Sequence, residues 1–202
     1  MPSLMLPNTS NLGLPVALFA FGEPGLLYAV AFSALVQIGH FTIGVWLLSG
    51  HASWKSIAAS PAIWAVVVAL FMALNGLHLP APLAAASTQL GNMAPPLMLL
   101  MLGASLASIR LAGLHRVAAL AVVRVAGGLG VGLGLAYLLG LPSVAAGAFV
   151  VQCTMPIAVL SHLIAQQYDG PTEDIAGMIL VSTGLALAGL PLMLASTKLV
   201  VG

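Results

Sequence analysis

Two short stretches of this sequence carry most of its chemically useful side chains. In Pro7-Asn8-Thr9-Ser10-Asn11-Leu12-Gly13-Leu14-Pro15, four consecutive polar residues stand between two prolines inside an apolar run. Proline has no backbone donor, and its ring clashes with a preceding carbonyl, so Pro7 and Pro15 break a helix here. Gly13 permits backbone angles closed to other residues. Asn8, Thr9 and Asn11, with Ser10, are then the groups that satisfy freed backbone or hold a ligand. Gln152-Cys153-Thr154-Met155-Pro156-Ile157-Ala158 is a shorter version of the same device: Pro156 makes the break, and Gln152 and Thr154 supply polar atoms.

Other candidates stand alone. Arg124 is the only Lys or Arg well inside an apolar segment. Such a charge marks a functional site by default. Two readings of it are open, attraction of an anion and snorkelling of the guanidinium to the interface. His162, six residues past Pro156, is of the residue type that suits proton coupling. It equally suits a single satisfied hydrogen bond, as does His40. His51, His78 and His115 are not spaced as metal ligands. Ser161 and His162 are adjacent on a helix and point about 100° apart, so they make no nucleophile-base pair, and no enzyme is expected. Gly128, Gly130, Gly132 and Gly134 form two overlapping small-residue packing motifs.

The elements that position these groups must be membrane helices. Of 202 residues, 61% are hydrophobic and only 4% charged, with five Lys+Arg against four Asp+Glu. A soluble domain carries about a quarter charged residues, so a soluble enzyme and a disordered chain are excluded. A net charge of +1 offers no basic patch for nucleic acid. One cysteine, Cys153, excludes a disulfide framework. The apolar runs are long and continuous rather than alternating, which excludes an outer-membrane barrel and leaves helices. A span needs about 20 residues. Seven segments qualify: Ser3 to Phe21, Leu26 to Ser49, Pro61 to Leu77, Asn92 to Ile109, His115 to Leu139, Ser143 to Gln166 and Thr172 to Leu199. Gly22-Glu23-Pro24-Gly25 and Tyr168-Asp169-Gly170-Pro171 read as turns. Leu79 to Gly91, polar and proline-broken, reads as a loop leading into a short interfacial helix.

Lys55, Arg110 and Arg116 fall in loops on one side of this alternation, which the positive-inside rule makes cytoplasmic. The first segment then runs outward and the sixth inward. Pro15-Val16-Ala17 matches Pro156-Ile157-Ala158, with about six extra residues before the Gly-Pro turn of the second copy. Proline-broken helices of opposite orientation in two related halves are the pattern of a secondary transporter, whose half-helix ends meet around the substrate. The alternative is that proline and glycine merely kink two ordinary spans.

Asn8-Thr9-Ser10-Asn11-Leu12-Gly13-Leu14-Pro15 resembles the N-T-x-x-x-G-x-P signature of the auxin efflux carrier family. Leu90-Gly91-Asn92-Met93-Ala94-Pro95-Pro96-Leu97, running to Leu106, is similar to that family's seventh helix, and Met155-Pro156-Ile157-Ala158 through Tyr168 to its ninth. The resemblance implies ten helices in two inverted five-helix repeats, crossing at broken helices four and nine, and transport of organic anions such as malate or malonate-type carboxylates. On that map the chain starts at helix four, with three helices missing. Either its true start lies upstream, or it is a truncated, non-transporting protein or assembly subunit. Two positions depart from the family. Arg124 is followed by Val125-Ala126-Gly127-Gly128 where the family often has a proline, and Ser161 or His162 stands where it often has Asn.

The expected fold is therefore an all-α integral membrane protein of about seven transmembrane helices, the remnant of an inverted repeat. Residues 1–50 form the last two helices of the N-terminal repeat, 51–60 a cytoplasmic linker, and 61–202 the C-terminal five-helix repeat. The expected function is a multi-pass carrier of small organic anions in the cell membrane, the bacterial inner membrane. It uses no cofactor, and coupling to protons or sodium and assembly as a homodimer are left open. The expected substrate site comprises Asn8, Thr9, Asn11, Gly13, Pro15, Gln152, Thr154, Pro156, His162 and Arg124.

Overall fold

The computed structural model describes residues 6–39, 42, 43, 46, 61–107, 114–167 and 172–201. Among them every regular element is helical. A π-helical turn, Thr9–Gly13, leads into α1 (Leu14–Gly39). Then follow α2 (Pro61–Leu74), α3 (Ala81–Ala107), α4 (Leu114–Leu138), α5 (Ser143–Thr154), α6 (Val159–Gln167) and α7 (Thr172–Val201). The expected linker at 51–60, with Lys55, and also His40, Arg110 and the 168–171 turn, lie outside the described residues.

α1 is not one rod. Gly22 takes φ 67° and ψ −163°, a conformation closed to residues with a Cβ, and the chain reverses there. The Gln152 amide shows the reversal. Its Nε2 donates to the Ala29 carbonyl at 3.3 Å, while the same amide abuts Gly13. On a straight helix residues 13 and 29 would stand about 24 Å apart. Residues 14–21 and 23–39 are thus two antiparallel arms, matching the first two apolar segments. Among the described residues three runs are long and apolar enough to cross a membrane: 9–39, bent at Gly22, 117–138 and 172–197. α5, Ser143–Thr154, is a shorter apolar helix and, with α6, makes up the sixth segment.

The stretch from Leu79 to Gly91 is a correction. It is neither a loop nor a separate interfacial helix, because α3 runs unbroken from Ala81 to Ala107. Pro82 lies in the first turn, where a missing donor costs nothing. The alanines and glutamine that follow favour helix, and Pro95-Pro96 are carried inside it.

The interior is built from small residues. Ala17, Ala29, Ala121, Ala136, Ala145, Ala146 and Ala148 are buried, while Phe19, Leu27, Leu35, Leu138 and Leu192 are exposed. Close approach through small side chains, with large apolar ones facing outward, is how helices pack in lipid. Only half of the glycine pattern serves this purpose. Gly132 lies against Val150 and Cys153 of α5, and Gly128 against the Cys153 carbonyl, whereas Gly130 and Gly134 face open space. Leu12 and Val16 pack with Leu102 of α3, with Val151 of α5 and with Met155 just after it. That cluster seats the first broken segment against the second.

Candidate functional site: the crossing of two broken helices

Leu6–Asn8 and Met155–Ala158 are non-helical, and they cross. Pro7 and Ile157 form an isolated antiparallel bridge. The Asn8 amide donates to the Pro156 carbonyl at 2.6 Å, and the Ala158 amide donates to the Leu6 carbonyl at 3.2 Å. Each break thus satisfies backbone groups that the other has freed, as burial demands.

The bridge corrects two expectations. The first break lies at Leu6–Asn8 alone; Pro15, also expected to break the helix, stands inside it. The Gly13 amide reaches back five residues to the Asn8 carbonyl at 3.2 Å. A turn widened in this way accommodates the Pro15 ring that a regular helix would reject. The partner of the Pro156 break is therefore Pro7, not Pro15. Taking the bridge as the origin of the match between the two breaks pairs residue n with residue n + 150. Fifteen residues then lead from Pro7 to Gly22 and thirteen from Ile157 to Gly170, so the difference of about six shrinks to two. The match also explains an asymmetry. The Ile157 amide donates to Ser182 Oγ at 3.2 Å. Its counterpart Pro7 has no amide, and the counterpart of Ser182 is Phe32.

A cavity of about 270 Å³ opens beside the crossing. It is lined by Pro7 to Asn11, Gln37, Met101 and Ala158 to Leu160. Of the expected site residues, Asn8, Thr9 and Asn11 meet there. Asn8 is 4% exposed, and its Nδ2 has no acceptor among the described residues. Both half-helices that leave the crossing, the π turn from Thr9 and α6 from Val159, start at this wall. Helix starts present amides without helical acceptors and a partial positive charge. Gln37 was not expected. The signal for it was a lone amide in the apolar run Leu35-Val36-Gln37-Ile38.

The other expected residues lie elsewhere. Gly13 contacts Gln152, where a Cβ would overlap the amide oxygen. Gln152 is fully buried, and its Oε1 has no partner among the described residues. Pro15 is buried at the start of α1. Thr154 donates its hydroxyl to Val150 of its own helix at 2.7 Å. The Pro156 carbonyl is committed to the bridge. His162 Nδ1 lies 3.2 Å from the Thr172 carbonyl, tying α6 to α7 away from the cavity. Arg124 lines a second cavity of about 520 Å³, which shares Pro7 with the first and also includes Phe32, Val36, Val131 and Cys153. The arginine is 8% exposed, and its Nη2 donates to the Cys153 carbonyl at 3.0 Å. Among the described residues no cluster of His, Cys, Asp and Glu could hold a metal.

The family described as membrane transport protein matches residues 45–194. An uncharacterized transporter of Methanothermobacter thermautotrophicus is 29% identical over 198 residues, covering 92% of this chain and 63% of that protein. The chain therefore spans less than two thirds of that relative's length. No solved structure matches it. With the family match running through α2 to α7 and the auxin efflux carrier signature on the segment before it, the chain belongs to the membrane transport protein family of the auxin efflux carriers.

Proposed function

We propose that the protein is a secondary carrier of small organic anions, mono- or dicarboxylates, and binds them where the two broken helices cross. One observation carries this reading. Two half-helix starts, at Thr9 and Val159, are held together by the Pro7–Ile157 bridge on the wall of a cavity of about 270 Å³ into which Asn8, Thr9, Ser10, Asn11 and Gln37 bring polar side chains. Each start carries roughly half a positive charge. The Asn8, Asn11 and Gln37 amides add donors, so a carboxylate is held without a lysine in the cavity. The volume suits a metabolite smaller than the drug-sized ligands of larger pockets. In this reading residues 1–50 and 61–202 belong to two inverted repeats joined by a cytoplasmic linker at 51–60. The protein lies in the cell membrane as a multi-pass carrier.

The test is uptake of labelled malate and malonate by liposomes containing the purified protein. Saturable uptake, competed by other small carboxylates, is expected. A hydrogen bond to a charged group contributes about 1.5–3 kcal/mol, so Asn11→Ala weakens apparent affinity by about 10- to 100-fold while insertion is unchanged. Carboxylate uptake that survives Asn11→Ala and Gln37→Ala intact would defeat the assignment.

A further inference from the structure

Where α5 stops, it leaves a negative end. The last four carbonyls of a helix lack helical donors, and the helix dipole places partial negative charge there. Two of these carbonyls are answered in different ways. The Met155 amide turns back to Gln152 at 3.4 Å. The Cys153 carbonyl receives Arg124 Nη2, at 3.0 Å, from α4. This arginine is buried, makes no ion pair among the described residues, and its Nε has no partner among them. The fold leaves room for it. One turn along α4, a Cβ on Gly128 would overlap the Cys153 carbonyl and lie 2.7 Å from Arg124 Nη1. A buried guanidinium without a carboxylate is costly, and packing alone would be served better by a neutral side chain.

In carriers built on broken helices, the C-terminal carbonyls of half-helices are where transported cations are coordinated. We propose that the Arg124 guanidinium is a tethered cation occupying that position at the end of α5. It supplies permanently the charge that a sodium ion would bring and carry away, so loading of the anion at the crossing needs no sodium. Arg124 is thus a positioning residue: it neutralises the end of α5 and holds the break in the geometry that the anion requires. This inference rests on the crossing being the anion site, and its test is chosen to separate the two.

The test uses Arg124→Lys, Arg124→Met and Arg124→Ala, each read by thermal unfolding in detergent and by uptake in liposomes. Wild-type uptake should be equal in sodium and in choline buffers. Arg124→Lys should keep most of it, and Arg124→Met should lose about tenfold or more. Arg124→Ala should unfold at lower temperature and recover with millimolar guanidinium or sodium, but not with choline or urea. A sodium requirement in wild type would overturn the proposal. So would Met equal to Lys in both readouts, or an Arg124→Ala protein indifferent to every cation. If Arg124→Ala does not fold, the Lys and Met pair decides by the same criteria. If no variant or wild type takes up any carboxylate, the substrate reading fails, and the cation dependence of unfolding still decides the role of Arg124.

Discussion

Replacing Gly13 by alanine tests how tightly the two halves interlock at the crossing. The added methyl would overlap Gln152 Oε1 and stand 2.9 Å from its Cδ and 3.2 Å from its Nε2. Gln152 is fully buried, and Nε2 is held by the Ala29 carbonyl at 3.3 Å, so the amide moves only by losing that bond. Overpacking costs about 1–3 kcal/mol, and the lost hydrogen bond adds about 1 kcal/mol. At about 2–4 °C per kcal/mol for a chain of this size, the loss of about 2–4 kcal/mol lowers Tm by about 4–16 °C. Gln152→Ala also removes an acceptor with no partner among the described residues, so its own cost is smaller than burial alone implies. In the double variant the methyl enters the space that the amide has left. The pair should therefore be less destabilised than the sum of the singles by about 1–3 kcal/mol. Tryptophan fluorescence during thermal unfolding in detergent, repeated by titration with a denaturing detergent, measures all four proteins. Additivity within about 0.5 kcal/mol would show that Gly13 and Gln152 do not share this space.

Three further outcomes are expected. Ser182→Ala strands the buried Ile157 amide and lowers stability by about 1–3 kcal/mol. Thr183→Val next to it, where the hydroxyl only bonds back to Ile179 at 2.7 Å, changes little in the same unfolding assay. Gly128→Ala lowers Tm by forcing the Cys153 carbonyl and Arg124 apart. Gly130→Ala, with nothing within 4 Å of its new methyl, is neutral or slightly stabilising through helix propensity, by up to about 1 kcal/mol. Cys153, the chain's single cysteine, lines the 520 Å³ cavity and is half-buried. Intact protein should therefore add one small maleimide per chain by mass spectrometry before unfolding, and complete protection until unfolding would show that the cavity is closed.

Proline and glycine made both breaks legible from the sequence, because their backbone restrictions act wherever the chain goes. Their pairing was not legible. Pro15 looks like the counterpart of Pro156, yet a widened turn absorbs it, and the pairing is set by main-chain hydrogen bonds between residues 148 and 152 apart. The helical identity of 81–91 was obscured by Pro80 and Pro82, which read as breakers although they stand at a helix start. Asn8, Thr9 and Asn11 were visible as a polar island. Gln37 was hidden because it reaches the same cavity only after the chain reverses at Gly22. Arg124 was conspicuous as a charge, but nothing local to it announces the carbonyl it serves.

The Pro7–Ile157 bridge fastens the halves through main-chain atoms. Main-chain hydrogen bonds are blind to side-chain identity, so the fastening places few demands on which residues flank it. The two copies are free to drift apart in sequence while their geometric relation persists. Here the first copy sets Asn8, Thr9, Ser10 and Asn11 where the second has Ala158, Val159, Leu160 and Ser161. In the proposed site, one side of the joint reads the ligand and the other backs it. A duplicated architecture can divide its labour in this way without loosening the joint that makes it one molecule.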